Sequence, residues 1–217
     1  MRRWLLPLLL IAGLAVGVGL YLGTRSDESD QKQTSQVSAS VPAAGPETPR
    51  LIIGRADAPL TLIEYGDFQC PICKRFFEET EPRLKREYLD TGVVKLEFRV
   101  ETHIGAESVA AGEAAYCAAE QKAFPAYHDE LYHRQRGAES GAFSVANLER
   151  IASDLELNLT TFRSCLTEAK YKKVVEDSNT AAQVRGVSST PTFYLGERKI
   201  VGALSYSVFR AAIEAAR

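Results

Sequence analysis

The stretch Leu60-Thr61-Leu62-Ile63-Glu64-Tyr65-Gly66-Asp67-Phe68-Gln69-Cys70-Pro71-Ile72-Cys73 holds a strand, a turn and the start of a helix. The apolar run from Leu60 to Tyr65 reads as a buried strand, and Gly66-Asp67 ends it. Pro71 suits the first helical position, where its missing N–H costs nothing. Cys70 then caps a helix N-terminus, where free amides and the helix dipole favour the thiolate. The thiolate is the species that attacks disulfides. Two thiols spaced by two residues can close a disulfide across one helical turn. Cys70 and Cys73 are therefore expected to be a redox pair, with Cys70 the nucleophile at the exposed helix start and Cys73 the more buried, resolving thiol. Far downstream, Thr190-Pro191 follows two serines and precedes an apolar run. An X-Pro bond there suits a cis turn lying against the cysteines, a ledge for a bound peptide.

Outward from this stretch, Ile72, Phe76, Thr80, Leu84 and Tyr88 mark one helical stripe, with Glu79/Arg83 and Glu81/Lys85 as i,i+4 pairs. Pro82 inside the pattern predicts a kink. Asp90-Thr91-Gly92 stops the helix, and Val93 to Val100 is a second strand. Residues 105–182 are rich in Ala, Glu and Lys and read as a cluster of helices, with breaks at Gly137–Gly141 and Leu157–Thr160. Thr192 to Leu195 and Lys199 to Val201 form a hairpin about Gly196-Glu197, and Ser205 to Ala216 a final helix. The pattern is an α/β unit over residues 51–217, interrupted by a helical insertion at about 105–182, without internal repeats.

The N-terminus indicates the compartment. Arg2 and Arg3 precede an uncharged run from Trp4 to Thr24, just long enough for a bilayer core of about 30 Å. The arginines hold the start of the chain in the cytoplasm and send the rest outside. Residues 1–25 are expected to be a single-pass anchor in the cell membrane. A cleaved signal peptide is the alternative, with Gly13-Leu14-Ala15 a weak cleavage site, but the apolar run continues beyond it. No Cys lies near the end of the run, which excludes a lipoprotein anchor. The GxxxG spacings among Gly13, Gly17, Gly19 and Gly23 are common in such spans. Residues 26–50, rich in Ser, Gln, Ala and Pro, read as a flexible linker. Net charge is −2 over 217 residues, so no nucleic-acid partner is implied.

Zinc needs four ligands, and the remaining cysteines, 117 and 165, do not form a second CxxC. His128 and His133 are five apart and face away from each other on a helix. His103 reads as a loop or surface residue. No metal and no cofactor are expected. Glu64 sits mid-strand among apolar residues, which points to burial, a raised pKa and a place near Cys73, whose proton it could exchange. Thr190 could offer its backbone to an extended peptide, and its hydroxyl could tune Cys70. Cys117 and Cys165 are either two buried small hydrophobes or, on an oxidising side of the membrane, a structural disulfide.

Glu64 to Cys73, together with Gly186-Val187-Ser188-Ser189-Thr190-Pro191-Thr192-Phe193, resembles the DsbA-type thiol–disulfide oxidoreductases of bacteria, most of all their membrane-anchored branch. The likeness spans roughly residues 50–217. It implies a thioredoxin-like fold with an inserted helical domain. It also implies a solvent-facing nucleophile, a buried resolving cysteine and a facing cis-proline, which by motif are Cys70, Cys73 and Pro191. An acid at the position of Glu64 and a second, structural disulfide also occur in the family. The best-known strong oxidant of the family has His where this chain has Ile72, so the strength of the oxidant does not carry over. The expected activity is introduction of disulfides into reduced exported proteins. The family implies a membrane reoxidant of the DsbB or vitamin-K-epoxide-reductase kind, and the soluble domain is expected to be a monomer. The rivals are an extracytoplasmic thiol reductase and a non-enzymatic peptide-binding or chaperone module. An isomerase fits less well, since no dimerisation domain precedes residue 50.

Overall fold

A computed structural model describes residues 48–217. The expected anchor over 1–25 and nearly all of the linker over 26–50 lie outside these residues. Among the described residues no helix is long and apolar enough to cross a membrane.

Five strands form one mixed sheet in the order β1-β3-β2-β4-β5. They are β1 (Ile52–Ile53), β2 (Leu60–Gly66), β3 (Val94–Val100), β4 (Thr192–Leu195) and β5 (Arg198–Val201). β2 pairs in parallel with β3 and antiparallel with β4, so it is central. The two-residue β1, which the sequence pattern does not reveal, pairs antiparallel with β3 at the edge. A parallel pair needs a crossover, and here it is α1 (Pro71–Glu79), α2 (Glu81–Leu84) and a π-helical turn, Lys85–Leu89. The helical block between β3 and β4 consists of α3 (Ala106–Glu120), α4 (Phe124–Arg134), α5 (Val145–Asp154), α6 (Leu159–Thr167) and α7 (Lys172–Val184). α8 (Tyr206–Ala216) closes the described chain. This is the α/β unit with a helical insertion that the resemblance implies.

The kink expected at Pro82 falls at Thr80, the one residue between α1 and α2, which keeps αR backbone and donates its N–H to the Phe76 carbonyl at 2.9 Å. Proline has no N–H to return to the preceding turn, and beside it the Thr80 hydroxyl donates to the Leu204 carbonyl at 2.9 Å. The expected helix pairs differ too. Arg83 pairs with Glu87 and Lys85 with Asp129, while Glu81 turns inward and is only 3% exposed. The stripe Phe76, Thr80, Leu84 and Tyr88 nonetheless stays buried across this point, as its spacing implies. Ile72, at the head of the stripe, is 36% exposed while Phe76, Leu84 and Tyr88 are buried.

Alternation along β2 puts Leu62 and Glu64 on one face of the sheet and Ile63 and Tyr65 on the other. Leu62 belongs to the main core with Leu96, Phe98, Phe193, Phe76 and Phe209. Ile63 and Tyr65 pack with Tyr194, Ala182 and Val187 in a smaller cluster. A Cβ on Gly66 would come within 2.6 Å of the Phe98 ring and 3.2 Å of Glu64 Oε1, so only glycine fits where β2 leads into the turn.

Candidate active site

The turn after β2 is built around Asp67. Its carboxylate accepts from Gln69 N at 2.8 Å and from the Ser108 hydroxyl at 2.7 Å. It also accepts from His103 N at 3.1 Å. Its backbone carbonyl takes the Cys70 N–H at 3.0 Å. These bonds set Cys70 as the N-cap of α1, in extended conformation, with Pro71 following in the first turn. Lys74 N closes the first helical hydrogen bond onto the Cys70 carbonyl at 3.1 Å.

Cys70 and Cys73 are present as free thiols. Cys73 is wholly buried, and Cys70 keeps 6% of its surface. Cys70 is thus less open than a helix start suggests, because the 189–191 loop lies over it. The Cys70 thiol donates to the Thr190 carbonyl at 3.5 Å, and the Thr190–Pro191 bond is cis. The two sequence features 120 residues apart therefore meet at one sulfur.

The two thiols are driven in opposite directions. Cys70 is lowered to about 6, first by hydrogen bonding from the Cys73 side chain and then from the Thr190 side chain and the amides of Cys73 and Ile72, against the effect of burial. Helix amides alone are what the sequence offers as the cause; the larger contribution comes from the second thiol. Burial holds Cys73 well above the ordinary thiol range, with Cys70 and Glu64 adding to the shift. Glu64 is 1% exposed, between Phe98 and Phe193 in the strand register. Burial raises its carboxyl well above the usual range, and Glu81 and Cys70 push it further. Both the Glu64 carboxyl and the Cys73 thiol are thus shifted toward their protonated forms.

Several groups that sequence reasoning missed hold this turn. Gln69 Nε2 donates to Ser108 Oγ at 2.9 Å and to Glu139 Oε1 at 2.8 Å. Glu139 N donates back to Gln69 Oε1 at 2.5 Å. Gln135 Nε2 donates to the carbonyls of Phe68 and Cys70 at 2.5 and 3.2 Å. Separations of 39 to 70 residues leave no local pattern by which to find them.

The structure joins Cys117 of α3 to Cys165 of α6 by a disulfide, with Cα atoms 5.9 Å apart. It lies in the helical block, apart from the Cys70–Cys73 pair. His103 is half-exposed, and its Nε2 lies 2.6 Å from the fully buried Glu101. Glu81, His128 and Asp129 bring donor atoms within 4.8 Å of one another. The Lys85 ammonium, 3.4 Å from Asp129, already supplies the positive charge there.

Comparison with known proteins bears on this geometry. A family described as thioredoxin matches residues 47–215. The chain is 32% identical over 148 residues to the probable disulfide bond formation protein D of Bacillus anthracis, covering 66% of this chain and 68% of that one. It is 26% identical over 166 residues to disulfide bond formation protein D of Bacillus subtilis, covering 75% of each. Among solved structures it is similar to oxidised BdbD from Bacillus subtilis, with a TM-score of 0.71 and 25% identity, covering 77% of this chain and 95% of that chain.

Proposed function

The chain belongs to the thioredoxin family as a DsbA-type protein-disulfide oxidoreductase, and from that premise we propose that it transfers a Cys70–Cys73 disulfide to reduced exported proteins outside the cytoplasm. A substrate thiolate attacks Cys70 Sγ, the Cys70–Cys73 bond breaks, and Cys73 leaves as a thiolate that takes up a proton. A second substrate thiolate then attacks the substrate sulfur of the mixed disulfide, and Cys70 leaves. The substrate dithiol gives up two electrons and two protons. The enzyme disulfide takes both electrons, Cys73 keeps one proton, and the other goes to solvent because Cys70 stays ionised above about 6.

The observation that carries this reading is the opposed behaviour of the two thiols. A thiol lowered to about 6 is a good leaving group toward a substrate sulfur, and its stabilised thiolate favours the reduced enzyme, hence oxidation of the substrate. Glu64 is the proton partner of Cys73. The half-buried Thr190 presents its backbone beside Cys70, and with Pro191 forms the ledge on which an extended peptide lies. The Cys117–Cys165 bridge is structural. Residues 1–25 anchor the domain and residues 26–50 tether it, which raises its effective concentration near a membrane reoxidant of the DsbB or vitamin-K-epoxide-reductase kind.

Trapping in cells tests the roles. Cys73→Ala should accumulate mixed disulfides between Cys70 and exported proteins on non-reducing gels, and Cys70→Ala should not. The reverse pattern would invert the assignment. Direction is tested by equilibration against glutathione. The oxidant reading requires a potential well above the thioredoxin value of about −270 mV, and a value at or below it would make the protein a reductase.

A further inference from the structure

Cys73 must gain and lose a proton in every cycle, yet it has no exposed surface, and its partner Glu64 is 1% exposed. A proton held by Glu64 needs a way to solvent. Four of the buried polar atoms without a hydrogen-bond partner among the described residues belong to Glu64 itself and to three residues that lead from it toward the surface. They are Glu64 Oε2, Glu81 Oε2, His128 Nε2 and the Tyr132 hydroxyl. Each such group costs stability, and apolar side chains of the same size would pack there at less cost. Orphaned buried groups that gather near one another instead suggest internal water and proton movement.

These residues lead outward from the active site. Tyr132 is 1% exposed, and its ring lies 4.9 Å from that of His128 and 5.2 Å from Phe77 on α1. Its hydroxyl is within electrostatic reach of Cys73, Glu64 and Glu81. Glu81 begins α2, just after Thr80, and points into the protein. One donor atom each of Glu81, His128 and Asp129 falls within 4.8 Å of the others. His128 Nδ1 lies 3.1 Å from Asp129 Oδ1. The Asp129 side chain is 30% exposed and meets the Lys85 ammonium, 38% exposed, at 3.4 Å. Around these groups the His128 ring is walled by Phe68, Phe77, Phe98, Phe124 and Tyr132, with centroids 4.9 to 6.0 Å away.

We propose that Tyr132, Glu81, His128 and Asp129 form a relay that carries protons between the Glu64–Cys73 pair and solvent. The inference rests on the reading that Cys70 and Cys73 are the redox pair. When Cys73 leaves as a thiolate, it takes the proton of Glu64. Glu64 is reprotonated through the Tyr132 hydroxyl and internal water from Glu81, and Glu81 from solvent by way of His128 and Asp129. When Cys73 resolves a mixed disulfide, the same proton travels outward. No electrons move along the path. Burial raises Glu64, and Glu81 adds to the shift, so the protonated form is favoured at this end of the path. Burial raises Glu81, with Asp129 reinforcing the shift and His128 and Lys85 opposing it. The aromatic wall keeps bulk water from short-circuiting the path.

The test is the rate at which a preformed mixed disulfide between Cys70 and a thiol peptide is resolved by Cys73, measured by rapid quench across pH in H2O and D2O. Glu81→Gln, and Asp129→Asn at the solvent end, should each slow resolution about tenfold or more, as expected for loss of a positioned proton carrier. The solvent isotope effect should rise, and the Cys70 titration near 6 should stay in place. Tyr132→Phe and His128→Phe should do the same where they fold; Asp129→Asn, away from the aromatic wall, decides the matter if they do not. Wild-type rates, pH profile and isotope effect in both Glu81→Gln and Asp129→Asn, with Glu64→Gln slow, would overturn the relay and leave the redox reading intact. Failure of Cys73 to resolve the disulfide in the wild type would instead overturn the redox reading itself.

Discussion

At the scale of single residues, Cys70 depends most on its neighbour. The Cys73 thiol is the first of the groups that lower it, ahead of Thr190 and the helix amides. Helix amides act on any N-cap thiol, whereas a buried thiol three positions on is particular to this motif. Removing it separates the two causes. Cys73→Ala should move the 240 nm thiolate titration of Cys70 up from about 6, toward the ordinary range near 9 but short of it, because the Thr190 side chain and the amides remain. A midpoint still near 6 in Cys73→Ala would mean that the amides suffice. The trapping variant should therefore react more slowly than wild type at pH 7, since less of its Cys70 is ionised.

At the scale of elements, the helical block is organised by stops that carry no glycine. Lys122, Glu156 and Ala169 adopt left-handed φ of 61°, 56° and 48° just past α3, α5 and α6. A 6→1 hydrogen bond closes each of these ends: Ala123 N to Ala118 O, Leu157 N to Ala152 O, and Lys170 N to Cys165 O. Glycine usually fills this position, and α7 follows the rule with Gly186 at 76°. Two of the five block helices therefore end where sequence reading expects no break. The Cys117–Cys165 bridge fastens α3 to α6 across these turns and closes a separation of 48 residues. In the chain-entropy model that is worth about 4 kcal/mol. Replacing both cysteines with Ala should lower urea-unfolding stability by up to this amount while leaving thiol-oxidation turnover near normal at low temperature. Mild dithiothreitol should free only the two thiols of residues 70 and 73. Unchanged stability would remove the structural role.

At the scale of the whole molecule, the active-site turn is held as much by the insertion as by the sheet. Ser108, Gln135 and Glu139 all come from the helical segment, and all bond to residues 67–70. The same junction buries Glu101, which is raised to about 7 by burial first and by Asp67 second. The sign of its effect on stability follows from linkage. A carboxyl raised on folding stabilises fully below its unfolded pKa, near 4.5, and that contribution is lost as pH rises through 7. From 4.5 to about 7, at about 1.4 kcal/mol per pKa unit, the loss is at most about 3 kcal/mol. Stability of the oxidised protein should fall between pH 5 and 8, and Glu101→Gln should flatten that fall. An equally steep fall in Glu101→Gln would place its origin in other groups.

Local order was legible in the chain. The apolar run Leu60–Tyr65, the Gly66-Asp67 turn and Pro71 after Cys70 imply a strand, a turn and a helix, because period and turn chemistry act over a few residues. The CxxC spacing and Thr190-Pro191 likewise stand out without any structure. Tertiary packing decided the rest. It put the Thr190 carbonyl 3.5 Å from Cys70 and made Cys73 the chief influence on that thiol. It also turned Glu81, which spacing pairs with Lys85, into the core beside His128. It brought Gln135 to the Cys70 carbonyl from 65 residues away. Helical spacing gives the buried stripe but not the partners of Glu81, and hydrogen bonds between distant segments exist only once burial has chosen which elements meet.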